Sequence, residues 1–268
     1  MNALIGKTKV VEHLGVYIKY EINNLTGSIK DRAALSFLNS LKEQDKNKTI
    51  ICATSGNLGI SLAKLCKMKN LKLTIIMPKT NDGKKRIIEN EGANIIETNE
   101  IDGMKGTLKE LNKYRLNQNY IYFNQFNNLY NPLGYFDLCR EIVKEFKDLD
   151  YVIVGIGSGG TFLTLNKVLK KCYPNIKVIG VLPFEKELIE GIGANVLNHV
   201  SKIKKDVRYV KRSDALSMTK SINNDGIPLG ISSGACFKVA LDIKENEPFK
   251  KILMLAHDGI DRYRDIIV

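Results

Sequence analysis

The chain has no tryptophan, only three histidines and six prolines among its 268 residues. Nor does it contain an apolar run of about 18 residues, so no bilayer-spanning segment is expected and the membrane is not expected as a partner. The opening stretch MNALIGKTKV lacks a long apolar core, and no secretory signal is expected there. Its five cysteines are odd in number, scattered, and include no CxxC pair. That pattern excludes a zinc ribbon and a complete disulfide framework, and points to reduced thiols in the cytoplasm, with no metal site. Acidic residues are the scarcer charge, 29 against 41 basic ones, which leaves a net charge of +12. The basic excess invites a nucleic-acid reading. Its lysines, however, lie along amphipathic segments such as KVLKKCYPNIK and LAKLCKMKNLK, and no basic-aromatic cluster accompanies them. Solvated helix faces explain such lysines, and nucleic acid is not expected as a ligand.

What the chain has is a regular alternation. TIICAT precedes SGNLGISLAKLCKMKN, LKLTIIMP precedes NDGKKRIIENEG, and ANIIETNE precedes a helical run from Met104. YIYFNQ, YVIVGIGS, IKVIGVLP and KKILMLAH continue the series of β-rich runs. Apolar runs of that length separated by helices predict an α/β fold with open, mainly parallel sheets covered by helices. The length allows two compact domains, and no low-complexity linker separates them, so any division must be tight. Ligands of such folds sit at the carboxyl ends of strands, where glycine-rich turns lead into helices.

Three such turns occur: ATSGNLGIS after TIIC, GIGSGGTFL after YVIV, and GISSGACFK after the short run IPL. In the second, glycines let backbone N–H groups approach an anion, and Ser158 and Thr161 add hydroxyls at a helix start. It is neither a Walker A loop nor a dinucleotide fingerprint, and a plain sheet-to-helix turn explains it equally well on its own. TSGNLG offers hydroxyls and an amide suited to a carboxylate, or simply an N-cap from Ser55 or Asn57. The stretch NNLTGSIKDR puts Lys30 at the start of a helix, where the macrodipole disfavours a cation. A surface lysine tolerates that cost. A lysine that works as a neutral amine, in Schiff-base chemistry, benefits from it.

LIGKTKVVEHLG, NNLTGSIKDR, ATSGNLGISLA, GMKG, NQFNNLYNP, GIGSGGT, GIGA, GISSGA and HDGIDRY follow one another across nearly the whole chain. In this order they resemble the fold-type II pyridoxal-phosphate enzymes of the cysteine synthase (O-acetylserine sulfhydrylase) and cystathionine β-synthase group. The resemblance implies two α/β domains with the cofactor, pyridoxal 5′-phosphate, in the cleft between them. Residues 24–131 would form the smaller domain, and residues 1–23 with 132–268 the larger, cofactor-binding one; a homodimer is implied. Lys30 would hold the cofactor as a Schiff base and move the α-proton. Gly157, Ser158, Gly159, Gly160 and Thr161 would bind the cofactor phosphate, Asn57 the pyridoxal 3′-oxygen, and Thr54, Ser55, Gly56, Asn57 and Gln125 the substrate carboxylate. Gly191 to Ala194 would line the cleft, with Ser232, Ser233 and the position of Gly259 near the pyridine ring. The implied reaction is β-replacement on an activated serine through an α-aminoacrylate, with O-acetylserine and sulfide giving cysteine. A cysteine-consuming relative that releases hydrogen sulfide, with serine, pyruvate or a thioether as co-product, is the rival. A catalytically weak binding protein on the same fold is the alternative of another class.

Four departures from the family pattern bear on the site. Leu58 stands where a threonine is usual and leaves a more apolar wall, and Leu25 replaces a proline. FEKELIE alone joins GVLP to GIGA, where a longer insertion is usual. Gly259 occupies the place of a serine that bonds the pyridine nitrogen. A water or neighbouring hydroxyl could serve instead, Asp258 could face the ring in a shifted register, or catalysis could be impaired. His257 reads as a satisfied histidine rather than a catalytic one.

Overall fold

The computed structural model describes residues 5–54, 56–79, 82–185, 187–193 and 206–267; Ser55 and Ala194 of the expected site lie outside them. The chain divides into two compact units, one of Met1–Ile29 with Tyr135–Val268 and the other of Lys30–Gly134.

In the first unit a six-stranded sheet is built from β1 (Val10–His13), β2 (Val16–Tyr20), β7 (Tyr151–Gly155), β8 (Lys177–Pro183), β9 (Val207–Val210) and β10 (Ile252–Ala256). Its order is β1-β2-β10-β7-β8-β9, and β1 is antiparallel to β2 while the other pairs are parallel. The central strands YVIVG and ILMLA are buried at every residue, as strands covered on both faces must be. The register Ile153 opposite Met254 on one side and Ile179 on the other aligns their carboxyl ends. Helices α6 (Phe136–Glu145), α7 (Gly160–Cys172), α8 (Arg212–Asn224) and α9 (Ile231–Asn246) belong to this unit. Helix α9 is the most deeply embedded, with Ile231 through Phe237 all buried.

In the second unit β3 (Thr49–Ala53), β4 (Lys72–Pro78), β5 (Asn94–Thr98) and β6 (Tyr120–Phe123) form a wholly parallel sheet in the order β5-β4-β3-β6. Helices α1 (Lys30–Asn39), α2 (Asn57–Met68), α3 (Asp82–Asn90), α4 (Gly103–Asn112) and the short α5 (Tyr130–Leu133) accompany it. The rings of Phe37 on α1 and Phe123 on β6 stack with centroids 3.9 Å apart, fixing α1 to the sheet.

The strands expected from the β-rich runs are present. The short run IPL is not a strand: Leu229 makes only an isolated bridge to Gly259. Proline at 228 lacks the N–H a ladder needs, and Ile227 and Leu229 are buried against α8 and α9 instead. Strand β9, with only its first and last residues buried, carries too weak a pattern to stand out.

Among the described residues no helix is long and apolar enough to cross a membrane. Cys52, Cys66, Cys139 and Cys236 are buried thiols, and Cys172 is exposed. Burial pushes the Cys66 thiol up to about 12 and moves Cys52 and Cys236 higher still. An aromatic disulfide reagent is therefore expected to modify Cys172 rapidly and the other four only on unfolding. Fast modification of two or more thiols in the native protein would contradict this packing.

Candidate active site

In the first unit the loops after β7, β8 and β10 and the start of α9 come together. Gly159 is the N-cap of α7 in left-handed conformation (φ +86°), and it contributes no side-chain cap. The first-turn N–H groups of a 13-residue helix thus meet glycine rather than a capping side chain, with no acidic residue in that turn. Thr161 is buried beside them. This donor set, a glycine cradle at a helix N-terminus with Ser158 and Thr161 hydroxyls, suits a phosphate.

The segment after β8 is held against this loop, where Gly193 N–H donates to Ile156 O at 2.9 Å. Gly191 has φ +92°, and a Cβ there would approach Ser232 Oγ to 3.4 Å, so Gly191 and Ser232 are neighbours. The connection FEKELIE is anchored by Arg212 at the start of α8. Its guanidinium donates to both carboxylate oxygens of Glu190, at 2.8 and 2.9 Å, and to Leu188 O.

Gly155 N–H donates to His257 Nε2 at 3.1 Å, and His257 N–H donates to Ser233 Oγ at 2.9 Å. A ring nitrogen that accepts from a backbone N–H belongs to a neutral imidazole, and His257 is a buried structural residue of this unit. Asp258 is fully buried, and Tyr263 donates its hydroxyl to it at 2.5 Å. Burial, and then the Asp258 carboxylate beside it, raise the Tyr263 phenol well above its ordinary range. Gly230 is required here, because a Cβ would fall 2.2 Å from Asp258 Oδ1. Gly259 is bridged to Leu229, just ahead of α9, and Ser28 is bridged to Asp258.

That last bridge ties down the chain that delivers Lys30. Ile29 N–H donates to His257 O at 2.8 Å, and Arg262 donates to Thr26 O across the turn at Gly27 (φ +78°). Lys30 then opens α1. Sequence reading assigned nothing to Arg262, although DRY was among its motifs. A side chain reaching back 236 residues leaves no local pattern.

In the second unit Thr54, Gly56, Asn57 and Gln125 converge at the carboxyl end of β3. Thr54 N–H donates to Ile76 O at 3.0 Å, and Gly56 N–H to Thr54 Oγ1 at 3.3 Å. Gln125 Nε2 donates to Ala53 O at 3.1 Å, while Asn131 Nδ2 holds the Gln125 carbonyl at 2.6 Å. Helix α2 begins at Asn57, and its N-cap is Gly56 without a side-chain cap. Gly59 lets the helix approach the turn, since a Cβ would lie 3.0 Å from Thr54 Cγ2 and from Ile88 Cδ1. Leu58 is buried in the same first turn.

Comparison with known proteins identifies the family. The family model for pyridoxal-phosphate dependent enzymes matches residues 2–258. Cysteine synthase B of Campylobacter jejuni is 32% identical, over 98% of this chain and 96% of its own length. The crystal structure of a hydrogen sulfide-producing enzyme from Fusobacterium nucleatum superposes with a TM-score of 0.88 at 34% identity, covering 97% of this chain and 98% of that one. An O-acetylserine dependent cystathionine β-synthase from Helicobacter pylori gives a TM-score of 0.89 at 30% identity, covering 98% and 96%. A matched length of this extent, with the phosphate-type cradle on one unit and the carboxylate-type turn on the other, leaves one assignment: the chain belongs to the pyridoxal-phosphate dependent enzymes, in their cysteine synthase-like branch.

Proposed function

We propose that this protein carries out β-replacement on an activated serine, forming cysteine from O-acetylserine and sulfide. The observation that carries the reading is the Gln125–Ala53 bond, which brings Gln125 to the Thr54–Asn57 turn and completes a donor set for an α-carboxylate. Pyridoxal phosphate, when bound, supplies the electron sink that makes the α-proton of an amino acid removable. The protein's residues do the rest. Gly157, Ser158, Gly159, Gly160 and Thr161 hold the phosphate, Asn57 the 3′-oxygen, and Ser232 a position near the ring nitrogen, where Gly259 offers no hydroxyl. Thr54, Ser55, Gly56, Asn57 and Gln125 would orient the substrate carboxylate, and Gly191, beside Ser232, would add to the substrate site. Lys30 would hold the cofactor, and its amine would take the proton from Cα and return it there. Between these two transfers the Cβ–O bond breaks, acetate leaves, and sulfide forms the new Cβ–S bond.

A second reading is favoured by a specific likeness: the Fusobacterium nucleatum enzyme, matched over 98% of its length, is hydrogen sulfide-producing. In that direction the Cβ–S bond of cysteine breaks, sulfide leaves, and water, a thiol or nothing attacks. The short FEKELIE connection and the apolar wall at Leu58 fit this chemistry equally well. One experiment separates the two readings: O-acetylserine plus sulfide in one tube and cysteine alone in another, with cysteine, serine, pyruvate and sulfide quantified. Cysteine formation in the first tube supports the synthase. Sulfide release from cysteine without it supports the lyase, and turnover of neither rejects β-substitution on these substrates.

The division of labour follows the two units: the smaller carries the carboxylate turn and the larger the phosphate cradle. The protein acts as a cytoplasmic homodimer on small molecules alone, without nucleic acid or membrane. Buried thiols suit a reducing compartment, and exposed Leu129, Tyr130 and Leu133 suit a subunit contact. Sedimentation of the holoprotein as a monomer would remove the dimer from this reading. Arg262 serves as a positioning residue for Lys30 through the Thr26–Gly27 turn. Arg262→Ala is expected to lower kcat roughly 10- to 100-fold while KM and cofactor content stay close to wild type. A change confined to KM would assign Arg262 to substrate binding instead.

A further inference from the structure

The motif LIGKTKVVEHLG has no part in the site described so far. Its residues Gly6 and Lys7 take left-handed backbone, φ +91° and +52°, which a lysine keeps only where its surroundings hold it. Those surroundings are polar and buried. Gly6 N–H donates to Asn24 Oδ1 at 2.8 Å, and Thr8 Oγ1 donates to Glu21 Oε1 at 2.8 Å. Asn24 Nδ2 donates to the other oxygen of that carboxylate at 2.8 Å and to Glu21 O at 2.9 Å. Lys19 Nζ donates to Thr8 O at 2.5 Å and pairs with Glu141 of α6 at 3.0 Å, with Glu145 at 3.6 Å. Thr8, Lys19, Glu21 and Asn24 are none of them more than 5% exposed. Burying a carboxylate is costly, and the bonds that offset the cost at Glu21 also fix the Asn24 side chain. Asn24 then passes this order on. Its main-chain oxygen accepts from Gly27 N–H at 2.9 Å, closing the near end of the turn that leads through Ser28 and Ile29 into Lys30.

We propose that Asn24, held by Glu21 and by the arm at Gly6–Thr8, is a positioning residue for Lys30. It fixes where the turn ahead of α1 begins, and so the rate at which the Lys30 amine moves the α-proton. This rests on the assignment of Lys30 to that proton transfer. The bonds are separate from that of Arg262, which grips the same turn at Thr26 from the other end of the chain. A base displaced by about 1 Å loses rate steeply, whereas binding of the substrate through other residues is left as it was.

The test uses holoprotein and L-alanine, an amino acid with no β-leaving group, whose α-proton is exchanged for solvent deuterium and followed by NMR. Binding of L-alanine is read from the absorbance of the bound cofactor. Asn24→Ala is expected to slow exchange roughly 10- to 50-fold, with the apparent Kd for L-alanine and the cofactor content close to wild type. Asn24→Asp should lose as much, because it sets two carboxylates against each other. Adding Glu21→Gln to Asn24→Asp again faces a donor with an acceptor, and should recover most of the rate. Should Asn24→Ala not fold, Thr8→Val removes a single bond from Glu21 and is expected to slow exchange roughly 2- to 5-fold. Exchange at the wild-type rate in folded Asn24→Ala, or in Thr8→Val where that variant stands in for it, would overturn the proposal and leave the enzyme assignment standing. So would a double variant no faster than Asn24→Asp, or the same loss in Gly226→Val, a strained turn that shares none of these bonds. Asn24-dependent exchange without turnover of O-acetylserine or cysteine would sustain the inference and reject the β-substitution reading. A wild-type holoprotein that exchanges no α-proton rejects the role of Lys30 and the inference with it.

Discussion

Lys30→Ala is expected to abolish covalent attachment of the cofactor and to lower turnover by about 10³-fold or more. Two effects combine. In the proposed reading the variant loses the amine that anchors pyridoxal phosphate and also the base that moves the α-proton. Because the proposed phosphate cradle of α7 is untouched, the cofactor should still bind, but reversibly. Borohydride reduction of wild-type holoprotein followed by peptide mapping should leave the pyridoxyl group on Lys30, within the stretch NNLTGSIKDR. The same treatment of Lys30→Ala should leave no labelled peptide, and gel filtration should then strip the cofactor. Label on another lysine of the wild-type protein would refute the assignment. Folding should be little affected. The bridge at Ser28 and the Ile29 N–H bond to His257 O hold the preceding chain through its backbone, and alanine is a good helix former at the start of α1. An unchanged melting temperature for the apoprotein would separate lost chemistry from lost structure.

Much of the candidate site was legible in the chain because it is written in local turns. Lys30 at a helix start, Gly159 and Gly160 at another, and the TSGNLG turn each obey rules that span fewer than ten residues. The same holds for the strands, since YVIVG and ILMLA announce burial on both faces. What could not be read depends on contacts between distant segments. Arg262 reaches Thr26, and Gly155 N–H reaches His257. Neither contact has a period or a motif. Position 259 illustrates the intermediate case. The missing hydroxyl was visible in HDGIDRY, while the Asp258–Tyr263 bond beside it required the fold.

The proposed phosphate cradle yields the second large effect. Gly159 holds φ +86° at the N-cap of α7, a conformation that costs an L-residue about 1–2 kcal/mol and a β-branched one more. Gly159→Val should relax by turning the loop out of this conformation, which rotates the first N–H groups of α7 away from the phosphate. The expected loss of cofactor affinity is roughly 10- to 100-fold, since about 1.4 kcal/mol corresponds to each factor of ten. Strain alone must be distinguished from a damaged cradle, and Gly226 provides the control. It has nearly the same angle, φ +82°, and nothing within 4 Å of a Cβ built there. Gly226→Val should therefore lower thermal stability by the same conformational penalty and leave cofactor affinity unchanged. Thr161→Val removes one hydroxyl without altering the turn, and should weaken cofactor binding by about 1–2 kcal/mol, the scale of a hydrogen bond to a charged group. The order of cofactor dissociation constants is then Gly226→Val equal to wild type, Thr161→Val weaker, and Gly159→Val weakest or comparable to it. Equal cofactor loss in both glycine variants would show that backbone strain, transmitted through stability, explains the effect, and the N-terminus of α7 would lose its claim to the phosphate.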